Sequence, residues 1–131
     1  MNIIYRRFLL EDASSLFNLS TDEWRVNHIL ISKSLQHSYN DEICCVALSK
    51  EKIVGYVDGF VLPNKTLIPH FLYVMPEYRT GGIGQGLLKK LEEESGCQCS
   101  MIYYNKTLHN YYENQGYSSG DNLEVAIKNI F

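Results

Sequence analysis

The sequence predicts an α/β (α+β) domain with a mixed, mostly antiparallel central sheet of six to seven strands and about four helices. Three observations predict it. Residues 43–48, 53–62 and 66–74 are apolar runs joined by short polar turns, the pattern of an antiparallel meander. The stripe Ile83, Leu87, Leu88 and Leu91 has helical spacing and separates the third run from a fourth at 100–104, so those two strands are joined by a crossover and lie parallel. The chain has 131 residues, 45% of them hydrophobic and 21% charged, which is the ordinary make-up of one globular domain, 1–131, able to bury a real core.

Taken in order, residues 2–8 read as a first strand carrying Arg6 and Arg7. Glu11 to Leu19 reads as a short helix with Ala13, Leu16 and Phe17 inward. Ser20-Thr21-Asp22-Glu23 has the form of a capping box, Ser20 as cap and Glu23 three residues on. The helix it opens carries Trp24, His28, Ile31 and Leu35 on one face, where His28 reads as a packed, hydrogen-bonded side chain. Ser49-Lys50-Glu51-Lys52 makes the first hairpin turn, and Pro63-Asn64-Lys65 turns the chain into the third run of the meander. That run stops before Pro76, which cannot donate to a ladder. The crossover helix ends at Gly96, a C′ glycine, although Glu92, Glu93 and Glu94 have the wrong sign for its dipole. Leu108 to Gln115 is a short helix closed by Gly116, and Tyr117–Ser119 and Leu123–Ile127 flank Gly120-Asp121-Asn122 as a last hairpin.

Composition narrows the function classes. A net charge of −3 argues against a broad nucleic-acid footprint. No apolar run reaches the ~18 residues of a membrane span, and MNIIYRRFLLED lacks the shape of a signal peptide. Cys44, Cys45, Cys97 and Cys99 form no C-x-x-C pair and have no histidine at zinc-site distance. They read as ordinary thiols of a reducing cytoplasm, with no metal implied.

The informative stretch is FLYVMPEYRTGGIGQGLLKKL, residues 71–91. The first turn of its helix holds Gly82, Gly84 and Gly86, each costing about 1 kcal/mol against alanine. A helix start carries free N–H groups and a partial positive charge, and without side chains an anion can sit directly on them. A Walker loop is excluded because Leu87 and Leu88 follow Gly86 where Lys and Ser/Thr belong. A dinucleotide fingerprint is excluded because Leu87 stands in place of the third glycine. The pattern R/Q-x-x-G-x-G/A is matched in full by Arg79, Gly82 and Gly84. Behind a strand ending Val74-Met75-Pro76-Glu77-Tyr78, it resembles the coenzyme A loop of the GNAT acetyltransferase superfamily, and the predicted element order matches that fold over nearly the whole chain.

The resemblance implies acetyl-CoA as cosubstrate and two splayed strands with the pantetheine arm between them. It implies that the backbone of Arg79, Thr80, Gly81, Gly82, Ile83, Gly84 and Gln85 holds the diphosphate. Leu72, Tyr73 and Val74 would offer backbone groups to the pantetheine amides, with the Val74 N–H polarising the thioester carbonyl. A second motif, NKTLHNYYENQGY over 105–117, resembles the family's N-x-x-A-x-x-F-Y-E-x-x-G-F. Asn105, Tyr112, Glu113 and Gly116 match, whereas Leu108 replaces the small residue, Tyr111 the phenylalanine and Tyr117 the last one. By the same resemblance Asn105 contacts the coenzyme and Tyr112 protonates the departing sulfur, with Tyr111 the fallback if the helix is rotated.

Acetyl transfer to an amine needs a base, since an ammonium near pKa ~10.4 has no lone pair. His70, four residues before Val74 in one strand, is the best candidate, with Asp58 or a water chain as alternatives. His109 reads as a surface residue at a helix start. The acceptor region implied by the resemblance contains Asp12, Asp22, Glu23, Trp24 and the Gly120-Asp121-Asn122 turn. Acid beside an aromatic suits a cationic amine, and Asp22 and Trp24 are its candidate contacts, although acids at a helix start also simply follow the dipole. The expected function is a cytoplasmic, acetyl-CoA-dependent N-acetyltransferase acting on a small-molecule or peptide amine, without nucleic acid or membrane and with homodimerisation open. The alternative is an inactive acyl-CoA-binding sensor or partner module.

Overall fold

The structure is a computed structural model that describes residues 2–19, 42–119 and 124–130. Five strands form one sheet in the order β1 (Ile3–Arg7), β2 (Glu42–Ser49), β3 (Lys52–Val61), β4 (Thr66–Val74) and β5 (Cys99–Ser100). The first four pair antiparallel and β5 pairs parallel to β4, as the meander and the crossover predict. Three α-helices stand among the described residues: α1 (Ala13–Phe17), α2 (Ile83–Ser95) and α3 (His109–Glu113). The capping box and the helix through Trp24 to Leu35 lie outside the described residues.

Among the described residues the strand count therefore corrects the sequence expectation of six to seven strands, whereas the fourth of the expected helices falls outside those residues. Tyr117–Ser119 and residues 124–130 form no strand, and Val125, Ile127 and Ile130 are 75%, 87% and 86% exposed. The physical reason lies at the sheet edge. β5 is two residues long and leaves no paired edge on which a further strand could build.

The sheet separates two apolar layers. On one face α2 seats Ile83, Leu87, Leu88 and Leu91 against Cys45, Ala47, Val54, Val57, Leu67 and Val74. On the other, Leu16 of α1 joins Phe8, Cys44, Val46, Tyr56 and Phe71. Alternate residues of β2 thus serve opposite layers, as strand geometry requires. Glycines on β3 let α2 lie close. A Cβ on Gly55 would stand 3.2 Å from Leu87 Cδ1, and one on Gly59 3.1 Å from Leu91 Cδ2.

Two local features position the site. The β2–β3 turn runs through Lys50 and Glu51, both at positive φ, the backbone of a two-residue hairpin turn. Across β3 and β4, Asp58 pairs Phe71 but Gly59 pairs Pro69, so His70 is an extra residue in β4. The extra residue changes the phase of the strand. Leu67 packs on the α2 face, yet so do Leu72 and Val74, an odd number of residues away.

Candidate functional site

β4 leads through a 3-10 turn at Pro76–Tyr78 into the glycine loop and α2. Gly82 is the N-cap of α2, at φ 77°, a left-handed conformation that a side chain strains. A Cβ there would meet nothing within 4 Å, so glycine is needed for its backbone and not for packing. No side chain caps the helix, and the first amide bonded back along it is Gly86, to the Gly82 carbonyl at 3.0 Å. The N–H groups of Thr80, Gly82, Ile83, Gly84 and Gln85 consequently donate to no acceptor among the described residues. Free amide donors at the positive end of a helix can hold an anion.

Arg79 braces this loop from within. Its Nε donates to the Val74 carbonyl at 2.7 Å, and its guanidinium lies 5.5 Å from the Tyr73 ring centre. The Met75 N–H donates to the Val54 carbonyl at 2.8 Å. Antiparallel alternation then turns the backbone groups of Leu72 and Val74 away from β3 and those of Tyr73 toward it. Of the three strand residues expected to face a pantetheine arm, Leu72 and Val74 have the right backbone orientation and Tyr73 does not. The Val74 carbonyl is already taken by Arg79, which leaves its N–H.

β4 and β5 pair only at Thr66 with Cys99 and Leu67 with Ser100. One more bond, from the Met101 N–H to the Leu67 carbonyl at 2.8 Å, closes the contact. Beyond it a cleft of about 200 Å³ opens between His70, Phe71 and Leu72 on one side and Ile102, Tyr103 and Tyr104 on the other. Leu88, Leu108 and Tyr112 also line it. The two strands thus part beyond Leu67 and Ser100.

Tyr112, 7% exposed, is stacked on Tyr104 at 4.6 Å and meets the edges of Tyr111 and Tyr117. Burial first, then its tyrosine neighbours, raises its phenol above the ordinary value, so the side chain holds its proton at neutral pH. His70 lines the same cleft, its ring 4.0 Å from that of Phe71 and 5.5 Å from that of Phe60. The cleft therefore brings together the two candidate catalytic side chains, although simple alternation from Val74 does not account for His70, because it is the extra residue of the bulge. Asp58 is buried in β3.

Asn105 caps the turn before α3, its Oδ1 accepting from the Thr107 N–H and hydroxyl, each at 3.0 Å. Only its amide N–H groups remain to meet a ligand. His109 is exposed and lies 3.0 Å from Glu113, the expected surface position. Asp12 is engaged by Arg6 and by the chain itself. Both its oxygens accept from the Arg6 fork, at 2.8 and 2.9 Å, and one also accepts the Leu9 N–H at 2.8 Å. Burial works against its charge, but these bonds outweigh it and hold the carboxyl below its usual range. Asp22, Glu23, Trp24 and the Gly120-Asp121-Asn122 turn lie outside the described residues.

Packing roles for two helix glycines were not visible in the spacing alone. A Cβ on Gly86 would fall within the Tyr5 ring, and one on Gly84 would stand 2.7 Å from the Tyr111 hydroxyl. The bulky tyrosines facing them could have signalled this, but only once strand and helix are placed side by side.

Comparison with known proteins gives a consistent likeness. A sequence family described as the acetyltransferase (GNAT) family matches residues 13–117. The L-2,4-diaminobutyric acid acetyltransferase of Shouchella clausii is 25% identical over 91 residues, 68% of this chain and 51% of that protein. The chain thus spans about half the length of the curated relative it matches. Among solved structures, the aminoglycoside N-acetyltransferase AAC(6')-Iy in complex with CoA superposes with a TM-score of 0.77 at 12% identity, covering 97% of this chain and 95% of that one. The PaiA N-acetyltransferase of Thermoplasma acidophilum, in complex with coenzyme A, gives 0.68 at 20% identity over 87% and 89%.

Proposed function

Because the chain belongs to the acetyltransferase (GNAT) family, we propose that it transfers the acetyl group of acetyl-CoA to a primary amine of a small molecule or peptide, by direct attack within a ternary complex. The observation that supports this reading is the uncapped start of α2, whose open amides follow on from the strand that walls a cleft holding a buried, protonated tyrosine. Solved relatives that hold coenzyme A share the fold.

In this reading the amides from Thr80 to Gln85 bind the diphosphate and Arg79 keeps their loop in place. Leu72 and Val74 offer outward backbone groups to the pantetheine arm, and the amide of Asn105 reaches the coenzyme. The amine nitrogen attacks the thioester carbon while the Val74 N–H meets the charge growing on its oxygen. The carbon–sulfur bond breaks, and Tyr112 gives its proton to the sulfur. The nitrogen loses a proton to His70 or to water. A phenol near ~10 and a thiol near ~8.5 make the sulfur step uphill by at least about 2 kcal/mol, so any positional help from the cleft matters. Asp22 and Trp24 remain the proposed contacts of the acceptor.

Release of coenzyme A thiol from acetyl-CoA, assayed against a panel including 2,4-diaminobutyrate and aminoglycosides, tests the reading. Acetyl-CoA binding with no turnover on any amine, together with no effect of Tyr112→Phe, would make the chain a sensor instead. Failure to bind coenzyme A by calorimetry would sink both.

A further inference from the structure

Tyr111 projects from α3 to the start of α2. Its hydroxyl lies 2.7 Å from where a Cβ on Gly84 would stand, and Leu72 Cδ2 lies 3.8 Å from that point. The hydroxyl is therefore set between the second residue of α2 and the strand that walls the cleft. Its ring is held edge-on to Tyr112, with centroids 5.0 Å apart and planes at 84°. The carbonyl of Tyr111 accepts from Gln115 at 3.4 Å. No acceptor among the described residues takes the Tyr111 hydroxyl. Tyr111 is 38% exposed, so its hydroxyl is open to a ligand, and one acceptor-rich anion could take both this donor and the free amides at the start of α2.

We propose that the Tyr111 hydroxyl is a coenzyme ligand, donating to a diphosphate oxygen where the diphosphate leaves the helix start for the cleft. The proposal rests on the acetyl-CoA reading above. It gives the two adjacent tyrosines separate duties, Tyr111 in holding the coenzyme and Tyr112 in protonating its sulfur. It also explains why Gly84 lacks a side chain: a methyl group would push the hydroxyl off this position.

Tyr111→Phe removes the donor and keeps the ring. Titration with coenzyme A should show about a tenfold loss of affinity, in line with one charge-assisted hydrogen bond. The kcat with acetyl-CoA should stay within about twofold, and kcat/KM with acetyl-pantetheine, which has no diphosphate, should not change. Three results would overturn the proposal: unchanged coenzyme A affinity, an equal loss with acetyl-pantetheine, or a fall in kcat alone. The second would make Tyr111 a wall of the cleft, and the third would make it the acid. Wild-type protein that does not bind coenzyme A would overturn the acetyl-CoA reading itself.

Discussion

A left-handed glycine and a buried phenol ask for opposite experiments. Gly82 sits at φ 77° with open space around its missing Cβ, so a substitution is resisted by its own backbone. Gly82→Val should cost about 1–2 kcal/mol of stability and weaken coenzyme A binding at least about tenfold, because the loop amides can no longer converge. Urea unfolding and calorimetry separate the two effects. For Tyr112, loss of the hydroxyl should leave coenzyme affinity near wild type and lower kcat by about a hundredfold, the lower end for a general acid. Its raised phenol further places any loss of activity from its deprotonation above pH ~10. Removing the imidazole with His70→Ala should flatten the acidic limb of the pH–rate profile if it takes the amine proton, and an unaltered profile would assign that proton to water. At this scale much was legible. Arg79, Gly82, Gly84 and Tyr112 were marked by spacing and by resemblance. The Arg79 clasp on Val74 was not, because a hydrogen bond from a side chain to a carbonyl five residues back leaves no periodic trace.

Elements were read well where periodicity is strong and poorly where the sheet runs out of partners. The four long strands and the crossover helix follow from apolar runs and stripes that each bury a face. Two further strands were expected near the end of the chain because they flank the Gly120-Asp121-Asn122 turn. A turn signal is only half of a hairpin, and the other half is an edge to pair with. The β2–β3 turn offers a direct test of local strain. Lys50 and Glu51 occupy a backbone that Asn-Gly adopts at lower cost, so Glu51→Gly should stabilise the protein by about 1 kcal/mol. A rise of several degrees in Tm would be the readout. Gly59→Val should do the reverse. Its Cβ would stand 2.9 Å from the Ile68 carbonyl and 3.1 Å from Leu91, which forces α2 off the sheet and costs about 2–3 kcal/mol in denaturant unfolding.

Across the whole molecule, two sets of ionisable groups bound the pH range of stability. Tyr5, Tyr112 and Tyr117 all have phenols raised chiefly by burial. The unfolded chain gives up those protons near pH ~10 while the native state still holds them. Their contribution is therefore complete below that pH and is lost as pH climbs through the raised native values. Asp12 acts in the opposite sense, with a lowered carboxyl that supports the fold above about pH 3.9 and ceases to as pH falls through its native value. Circular dichroism against pH should show a plateau between these limits, and Asp12→Asn should remove part of the acid-side slope. The site as a whole was legible only in outline. The proposed diphosphate loop and acid are local motifs, but the cleft is made by two strands parting company, and no window of sequence contains both.

The extra residue in β4 has a consequence for how this chain tolerates change. Because His70 resets which side chains look toward α2, the strand keeps two counts, one before it and one after. Trading the imidazole for another group preserves both counts and tests only chemistry. Removing position 70 altogether would merge them, sending Leu72 and Val74 to the wrong layer or dragging Leu67 out of its own. Length at this one point, more than identity, is what keeps the floor of the cleft continuous with the core.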